Sequence, residues 1–260
     1  MALVAKVGEA FCVIERVECV TFGSVELLMR SIRAVVFDAY GTLFDVYSVA
    51  ARAEQLFAGK GEALSLLWRD KQIDYTRIRS LAGPSGEYYK PFWDITVDAL
   101  RYAAARLGVE LSPQDEATLM REYACLSAFP ENVPALRRLR EMGLPLGILS
   151  NGNPQMLDIA VKSAGMSGLF DHVLSVDAVM LYKTAPQAYA LAPQAFGLPT
   201  QEILFVSSNG WDACGATWYG FTTFWINRLG HPPEALDVAP TAAGHDMRDL
   251  LQFVQATQAT

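Results

Sequence analysis

The chain is predicted to be an α/β protein: a Rossmann-like, doubly wound parallel sheet with an all-helical cap inserted into it. Three features lead to that class. Short apolar runs rich in Val, Ile and Phe alternate with helix-patterned segments after Phe129-Pro130. A long block with helical spacing and no strand pattern, 46–127, separates the first apolar run from the others. Several apolar runs end in polar residues, as expected where a parallel sheet opens a crevice beyond the carboxyl ends of its strands.

Each element has a local cause. Ala34-Val35-Val36-Phe37 is short, β-branched and apolar throughout, the pattern of a strand buried on both faces, and it delivers Asp38 to a loop. Leu64, Leu67, Trp68, Lys71 and Tyr75 keep i, i+3, i+4 spacing, as do Trp93, Val97, Leu100 and Ala104. Ala82-Gly83-Pro84-Ser85-Gly86 breaks the first of these helices, and Leu107-Gly108 closes the second. Ser112-Pro113 opens another helix, with serine at the N-cap and proline at its first position. Then come a helix over 133–142, a strand over 146–149, a helix over 154–164, a strand over 173–176, and a helix over 186–196. A strand over 203–206, a helix over 212–219, a strand over 222–226 and a C-terminal helix complete the pattern. Gly143, Gly165 and Gly197 sit where helix C-caps are expected. The expected organisation is therefore a core of 31–45 plus 128–260 and a cap of 46–127. Residues 1–30 stand outside it, either an unfolded arm or not native, with Met29 nearer the natural start.

Composition narrows the function. The chain has 260 residues, 52% of them apolar and 19% charged, enough for one sizeable domain or two small ones and incompatible with a disordered chain. Its formal charge of −7 argues against nucleic acid or an anionic membrane as the main partner. Cys12, Cys19, Cys125 and Cys214 are scattered without a C-x-x-C pair, so neither a zinc ribbon nor a disulfide scaffold is indicated. No apolar stretch is long enough to span a bilayer, and Glu9, Glu15, Arg16 and Glu18 break up any signal-peptide core. The expected location is the cytoplasm.

Polar residues gather at one sheet edge. Asp38, Ser150-Asn151 and Ser207-Ser208-Asn209 each come directly after a strand, with Asp212 close behind and Lys183 in a further strand-to-helix connection. Taken singly, each has an ordinary reading as a turn residue, a cap or a solvated charge. Together they put two acids, a lysine, hydroxyls and amides into one crevice. A carboxylate beside an ammonium stays ionised and can serve as a nucleophile, while a second carboxylate can direct a water. His172, His231 and His245 lack ligand-like spacing, and the aromatic run Trp218, Tyr219, Phe221, Phe224 and Trp225 is expected in the core.

Phe37-Asp38-Ala39-Tyr40-Gly41-Thr42-Leu43 resembles the nucleophile motif of the haloacid dehalogenase superfamily. With Leu149-Ser150-Asn151-Gly152, Tyr182-Lys183, Ser207-Ser208-Asn209-Gly210-Trp211-Asp212 and the cap segment Trp68-Arg69-Asp70-Lys71-Gln72, the sequence is similar to the L-2-haloacid dehalogenases, from Ile32 to the C-terminal helix. The resemblance implies hydrolysis of short L-2-haloalkanoic acids to D-2-hydroxyalkanoic acids, with inversion, through an aspartyl ester. It implies Asp38 as nucleophile, held by Thr42 and neutralised by Lys183. Arg69, Asn151 and Phe92 would receive the halide. Ser150, with backbone N–H groups near Ala39, Tyr40 and Asn151, would hold the substrate carboxylate. Asp212, with Ser207 and Asn209 nearby, would activate water. Tyr189 would support Lys183 and the substrate, and Tyr40 and Trp211 would form an apolar wall.

No metal and no cofactor are expected. The partners expected are a small anionic 2-haloacid and the halide product, with neither nucleic acid nor membrane, and the resemblance implies a homodimer. Two alternatives stay open at this level: a Mg²⁺-dependent phosphatase of the same superfamily, and a catalytically silent binding member. Against the phosphatase, Tyr40 stands where such enzymes carry a second aspartate as general acid. A halide leaves as a stable anion and needs no such acid. The chain departs from the family pattern at Thr184, where proline is common, at Asp70, where glutamine is common, and in a longer 83–91 segment.

Overall fold

The computed structural model describes residues 32–258. The proposed extension over 1–30 lies outside the described residues.

Strand β1 (Ala34–Phe37) is wholly buried and forms the middle of the sheet. The chain then leaves the sheet for four helices: α1 (Val49–Leu56), α2 (Gly61–Ala82), α3 (Phe92–Arg106) and α4 (Pro113–Ala124). The Ser112 hydroxyl accepts the Asp115 N–H at 3.1 Å, with Pro113 at the first helical position, so the fourth helix starts as its capping residues dictate. The cap packs on itself through Leu64, Trp68, Ile95, Ala99, Leu100, Leu119 and Tyr123. The Trp68 indole N–H donates to the Thr96 carbonyl at 2.8 Å and the Gln72 amide to the Thr96 hydroxyl at 2.9 Å. These bonds fix the second helix against the third on either side of Arg69.

After α5 (Asn132–Glu141) strands and helices alternate: β2 (Leu146–Ser150), α6 (Pro154–Ser163), β3 (His172–Ser175), α7 (Pro186–Phe196), β4 (Ile203–Ser207), α8 (Gly210–Tyr219) and β5 (Thr222–Ile226). A short strand β6 (Ala242–Gly244) and helix α9 (Met247–Gln258) end the described chain. The sheet order is β3-β2-β1-β4-β5-β6, with neighbours parallel. That is the doubly wound order in which the direction of winding reverses between β1 and β4, and ligands bind beyond the carboxyl ends at that point. The sixth strand has no counterpart among the expected elements. Its Ala-Ala-Gly sequence has no β-branched residue, and it is a strand because it pairs with β5.

The aromatic run divides rather than lying wholly in the core. Phe224 is 1% exposed, whereas Trp218 is 60% exposed. The reason is helical geometry: α8 buries Ala213, Cys214, Gly215 and Ala216, which carries Trp218 outward.

Close approach of that helix to α7 and the loop before it depends on Gly215. A Cβ there would lie 2.6 Å from Thr184 Cγ2 and 2.7 Å from the Tyr189 hydroxyl. Gly215→Ala is expected to destabilise the protein by about 1–3 kcal/mol through overpacking. Thermal unfolding would read this as a fall of several degrees, and an unchanged midpoint would count against the tight fit.

Candidate active site

Asp38 lies just beyond β1, and its backbone N–H is held by the Val206 carbonyl at 2.8 Å, which locks the loop to the neighbouring strand. Gly41 turns that loop at φ +97, a conformation open to glycine, and its N–H donates to the Phe44 carbonyl at 2.7 Å. Asp38 is 6% exposed and both its carboxylate oxygens are engaged. Oδ1 accepts from the Lys183 ammonium at 3.0 Å, and Oδ2 accepts from the Thr42 hydroxyl and the Asn209 amide, both at 2.9 Å. Thr42 in turn accepts the Ser208 N–H at 2.8 Å, tying the loop after β1 to the loop after β4.

Lys183 lies between two carboxylates. Its ammonium is 3.0 Å from Asp38 and 3.0 Å from Asp212, and the lysine is 1% exposed. Burial pulls its pKa down, but the charges of Asp212 and Asp38 outweigh this and hold it above the usual lysine value. Asp212 is wholly buried, and desolvation pushes its carboxyl above the ordinary range, with Lys183 opposing the shift and Asp38 adding to it. Tyr189 donates to Asp212 Oδ1 at 2.7 Å, and burial beside that carboxylate pushes its own pKa well up. The backbone N–H of Lys183 donates to the Asn151 side-chain carbonyl at 3.0 Å, linking two of the crevice loops.

The cap completes the arrangement. Arg69, on α2, is 8% exposed and reaches the Tyr40 carbonyl at 3.2 Å and the Asn209 side-chain oxygen at 3.3 Å. Asp70 points to solvent, and Arg69 forms no ion pair with it among the described residues. Asp38, Tyr40, Arg69, Phe92, Ser150, Asn151, Asn209 and Trp211 line one small, closely packed cavity, with about 10 Å³ of accessible volume. A larger concavity on the cap, around Tyr75, Arg79 and Tyr88, lies apart from this charged cluster. The site is therefore identified by chemistry rather than by size.

The sequence-derived residues thus converge, with some shifts of position. Asn209 turns to Asp38 and Arg69, not to Asp212, because its amide can donate to one and accept from the other. Tyr189 braces Lys183 indirectly, through the Asp212 carboxylate they share, and is not among the residues lining the cavity. Ser207 accepts the Asn209 N–H at 3.1 Å, and Ser150 accepts the Gly152 N–H at 3.0 Å, so both hydroxyls shape their own loops. Tyr40 packs against Phe92 and stacks on Tyr123 with ring centroids 5.8 Å apart in each case, forming the apolar wall. Ala39 is fully buried in the same loop. Among the described residues no group of three or more His, Cys, Asp or Glu side chains is arranged to hold a metal ion.

Two features escaped the sequence reading. Ile73 lines the cavity, a position legible from its i, i+4 relation to Arg69 on the same helix. The second is a seam between the long 83–91 loop and the loop before Lys183. The Tyr182 hydroxyl donates to the Lys90 carbonyl at 2.5 Å, the Tyr182 N–H to the Ser80 hydroxyl at 2.9 Å, and Tyr89 to Asp177. The Tyr89 and Tyr182 rings stack at 5.2 Å. No local pattern announces a contact between segments so far apart in the chain.

Comparison with known proteins agrees with this geometry. The family model of haloacid dehalogenase-like hydrolases matches residues 32–220. The (S)-2-haloacid dehalogenase of Pseudomonas sp. strain YL is 47% identical over 227 residues, covering 87% of this chain and 96% of that protein. The crystal structure of the L-2-haloacid dehalogenase RSc1362 is 89% identical with a TM-score of 0.86, covering 86% of this chain and 99% of that one. That of the Xanthobacter autotrophicus L-2-haloacid dehalogenase with chloropropionic acid covalently bound is 36% identical with a TM-score of 0.80, covering 86% and 98%.

Proposed function

The chain belongs to the haloacid dehalogenase-like hydrolases, and from that premise we propose how its crevice removes halide from short L-2-haloacids by hydrolysis. The reaction class is hydrolytic dehalogenation of L-2-haloacids. The observation that carries the residue roles is that Asp38 and Arg69, from core and cap, line the same small cavity.

Asp38 attacks C2 from the side opposite the halogen. The C–O bond forms as the carbon–halogen bond breaks, the centre inverts, and halide leaves with the electron pair. Arg69, with the Asn151 amide and the Phe92 ring edge, receives the developing negative charge. A guanidinium there stabilises the transition state more than the neutral carbon–halogen bond of the ground state. Lys183, Thr42 and Asn209 fix the carboxylate, so its orientation costs nothing at the moment of reaction. Ser150 and the neighbouring backbone hold the substrate carboxylate, with Tyr40 and Trp211 excluding water. Asp212 then takes a proton from a water that attacks the Asp38 ester carbonyl, and returns it to the alkoxide that leaves as the carbonyl re-forms, giving the D-2-hydroxyacid; Asp38 loses its own proton to solvent and is again a carboxylate. The positive charge beside both acids comes from Lys183, so no metal is required. The accessible space in the cavity is about 10 Å³, against roughly 300 Å³ upward for drug-sized pockets, and this favours short acids.

The direct test is halide release from L-2-chloropropionate in EDTA, with the configuration of the product determined. Folded protein that releases no halide from any L-2-haloacid would sink this reading. Asp212 supplies a pH test. It acts when ionised, and its pKa is displaced upward, so activity should rise with pH along an acid limb lying above the ordinary carboxylate value of about 4. A kcat profile flat down to that pH would exclude Asp212 as the base. We further propose a cytoplasmic homodimer. Ile78 and Leu81 on the cap are exposed, which suits a subunit contact, and sedimentation would read the assembly. Among the described residues no helix is long and apolar enough to cross a membrane.

A further inference from the structure

With the cap in this position, the two cations of the site, Lys183 and Arg69, are both buried and already committed to partners. Lys183 is 1% exposed and paired with two carboxylates. Arg69 is 8% exposed and committed to Tyr40 and Asn209. The chain carries a net −7, so its overall field repels the substrate. An exposed positive group where the cavity meets solvent would offset that repulsion.

Arg69, Ile73 and Arg77 succeed one another at i, i+4 and i+8 on α2 and so share a face. The first two line the cavity, and the third lies just outside it. Trp211 lines the cavity and also an outer depression, which Arg69, Arg77 and Asn209 line as well; of the two arginines only Arg77 is exposed. The Arg77 guanidinium is exposed and lies over the Trp211 ring, 4.7 Å from its centroid. Among the described residues it has no hydrogen bond and no ion pair. Of the other charges in the depression, Lys71 is neutralised by Asp74 at 2.8 Å, while Asp70 is exposed and has no ion-pair partner among the described residues.

We propose that Arg77 is the outer binding residue for the substrate carboxylate, holding the anion at the Trp211 wall before it passes to the cavity. Resting on the aromatic face keeps the guanidinium over the entrance without consuming its hydrogen-bond donors. Its field acts on a charge that does not change during displacement. Substrate plus Asp38 carries the same total charge before and after the ester forms, counting the departing halide. Arg77 therefore contributes binding shared by ground and transition states, which appears in KM and not in kcat. Asp70, in the same depression, acts with the opposite sign. This inference rests on the reading of the cavity as a site for 2-haloacid anions.

The experiment is steady-state halide release from L-2-chloropropionate by the full chain at low and at high ionic strength. Arg77→Gln should raise KM about 3–10-fold at low salt, Arg77→Glu should raise it further, and Arg77→Lys should stay within about twofold of wild type. Asp70→Asn should lower KM. All four should keep kcat within about twofold, and the differences should shrink when salt shortens the screening length to about 3 Å. Equal KM values for wild type, Arg77→Gln and Arg77→Glu at low salt would overturn the proposal. So would a loss of kcat at constant KM in Arg77→Lys, the variant that keeps charge and length. Halide release by wild type with no charge dependence removes this inference alone, whereas no release by wild type removes the reading of the site with it.

Discussion

Asp38→Asn is expected to reduce halide release by roughly 10⁴-fold or more while leaving the protein folded. The carboxylate sits at the end of β1 with one oxygen on Lys183 and the other on Thr42 and Asn209. An amide of nearly the same shape can keep some of these contacts. It cannot supply the anionic oxygen that forms the new bond to carbon. A single-turnover experiment on wild type should add the mass of the dehalogenated acid to a peptide containing Asp38, and Asp212→Asn should make that adduct persist. Halide release surviving at more than about one hundredth of wild type in Asp38→Asn would rule out covalent attack by this residue.

Lys183→Met should be nearly as damaging to activity and far more damaging to stability. The ammonium is the shared partner of two buried carboxylates. Removing it leaves uncompensated charge, which costs about 3–5 kcal/mol in comparable buried pairs and would lower the unfolding midpoint by roughly 10 °C in a chain of this size. The pH dependence separates this cause from lost packing. In wild type the folded-state pKa of Lys183 is raised, so its contribution is fully present below the unfolded lysine value of about 10.4 and is lost as pH rises through the folded value. In the variant, Asp212, already displaced upward by burial, loses the ammonium that opposes that shift and binds its proton more tightly folded than unfolded, so the deficit should narrow as pH falls toward about 5 and widen as it rises. Lys183→Met with Asp212→Asn should recover part of the loss by removing one of the stranded charges. A deficit independent of pH, unrelieved in the double variant, would point to packing alone.

Much of this was legible in the chain, for identifiable reasons. Strands buried on both faces must be apolar almost throughout, so the runs 34–37 and 203–206 announce themselves, and the residues at and just beyond their carboxyl ends must face the crevice. Asp38, Ser150 and Asp212 could therefore be placed together before any geometry was known. The helix at Pro113 could be located because its cap is written in adjacent residues. The strand Ala242–Gly244 could not, since its conformation comes from the neighbour it pairs with and not from its own side chains.

The sequence by itself determined the class of fold, the insertion of a helical cap, and which acids, hydroxyls and cations would share a crevice. These come from local periodicity and from the rule that a doubly wound sheet gathers its strand ends. Only the tertiary structure decided how those groups divide their bonds. Asn209 serves Asp38 and Arg69, Tyr189 serves Asp212, and Asp70 leaves Arg69 alone. It also decided that the 83–91 loop locks onto Tyr182, and that Arg77 lies over Trp211 at the cavity's outer wall. Hydrogen bonds and ring contacts are fixed by distances of a few ångströms between residues remote in the chain. Such distances are set by the packing of cap on core, which local sequence does not encode.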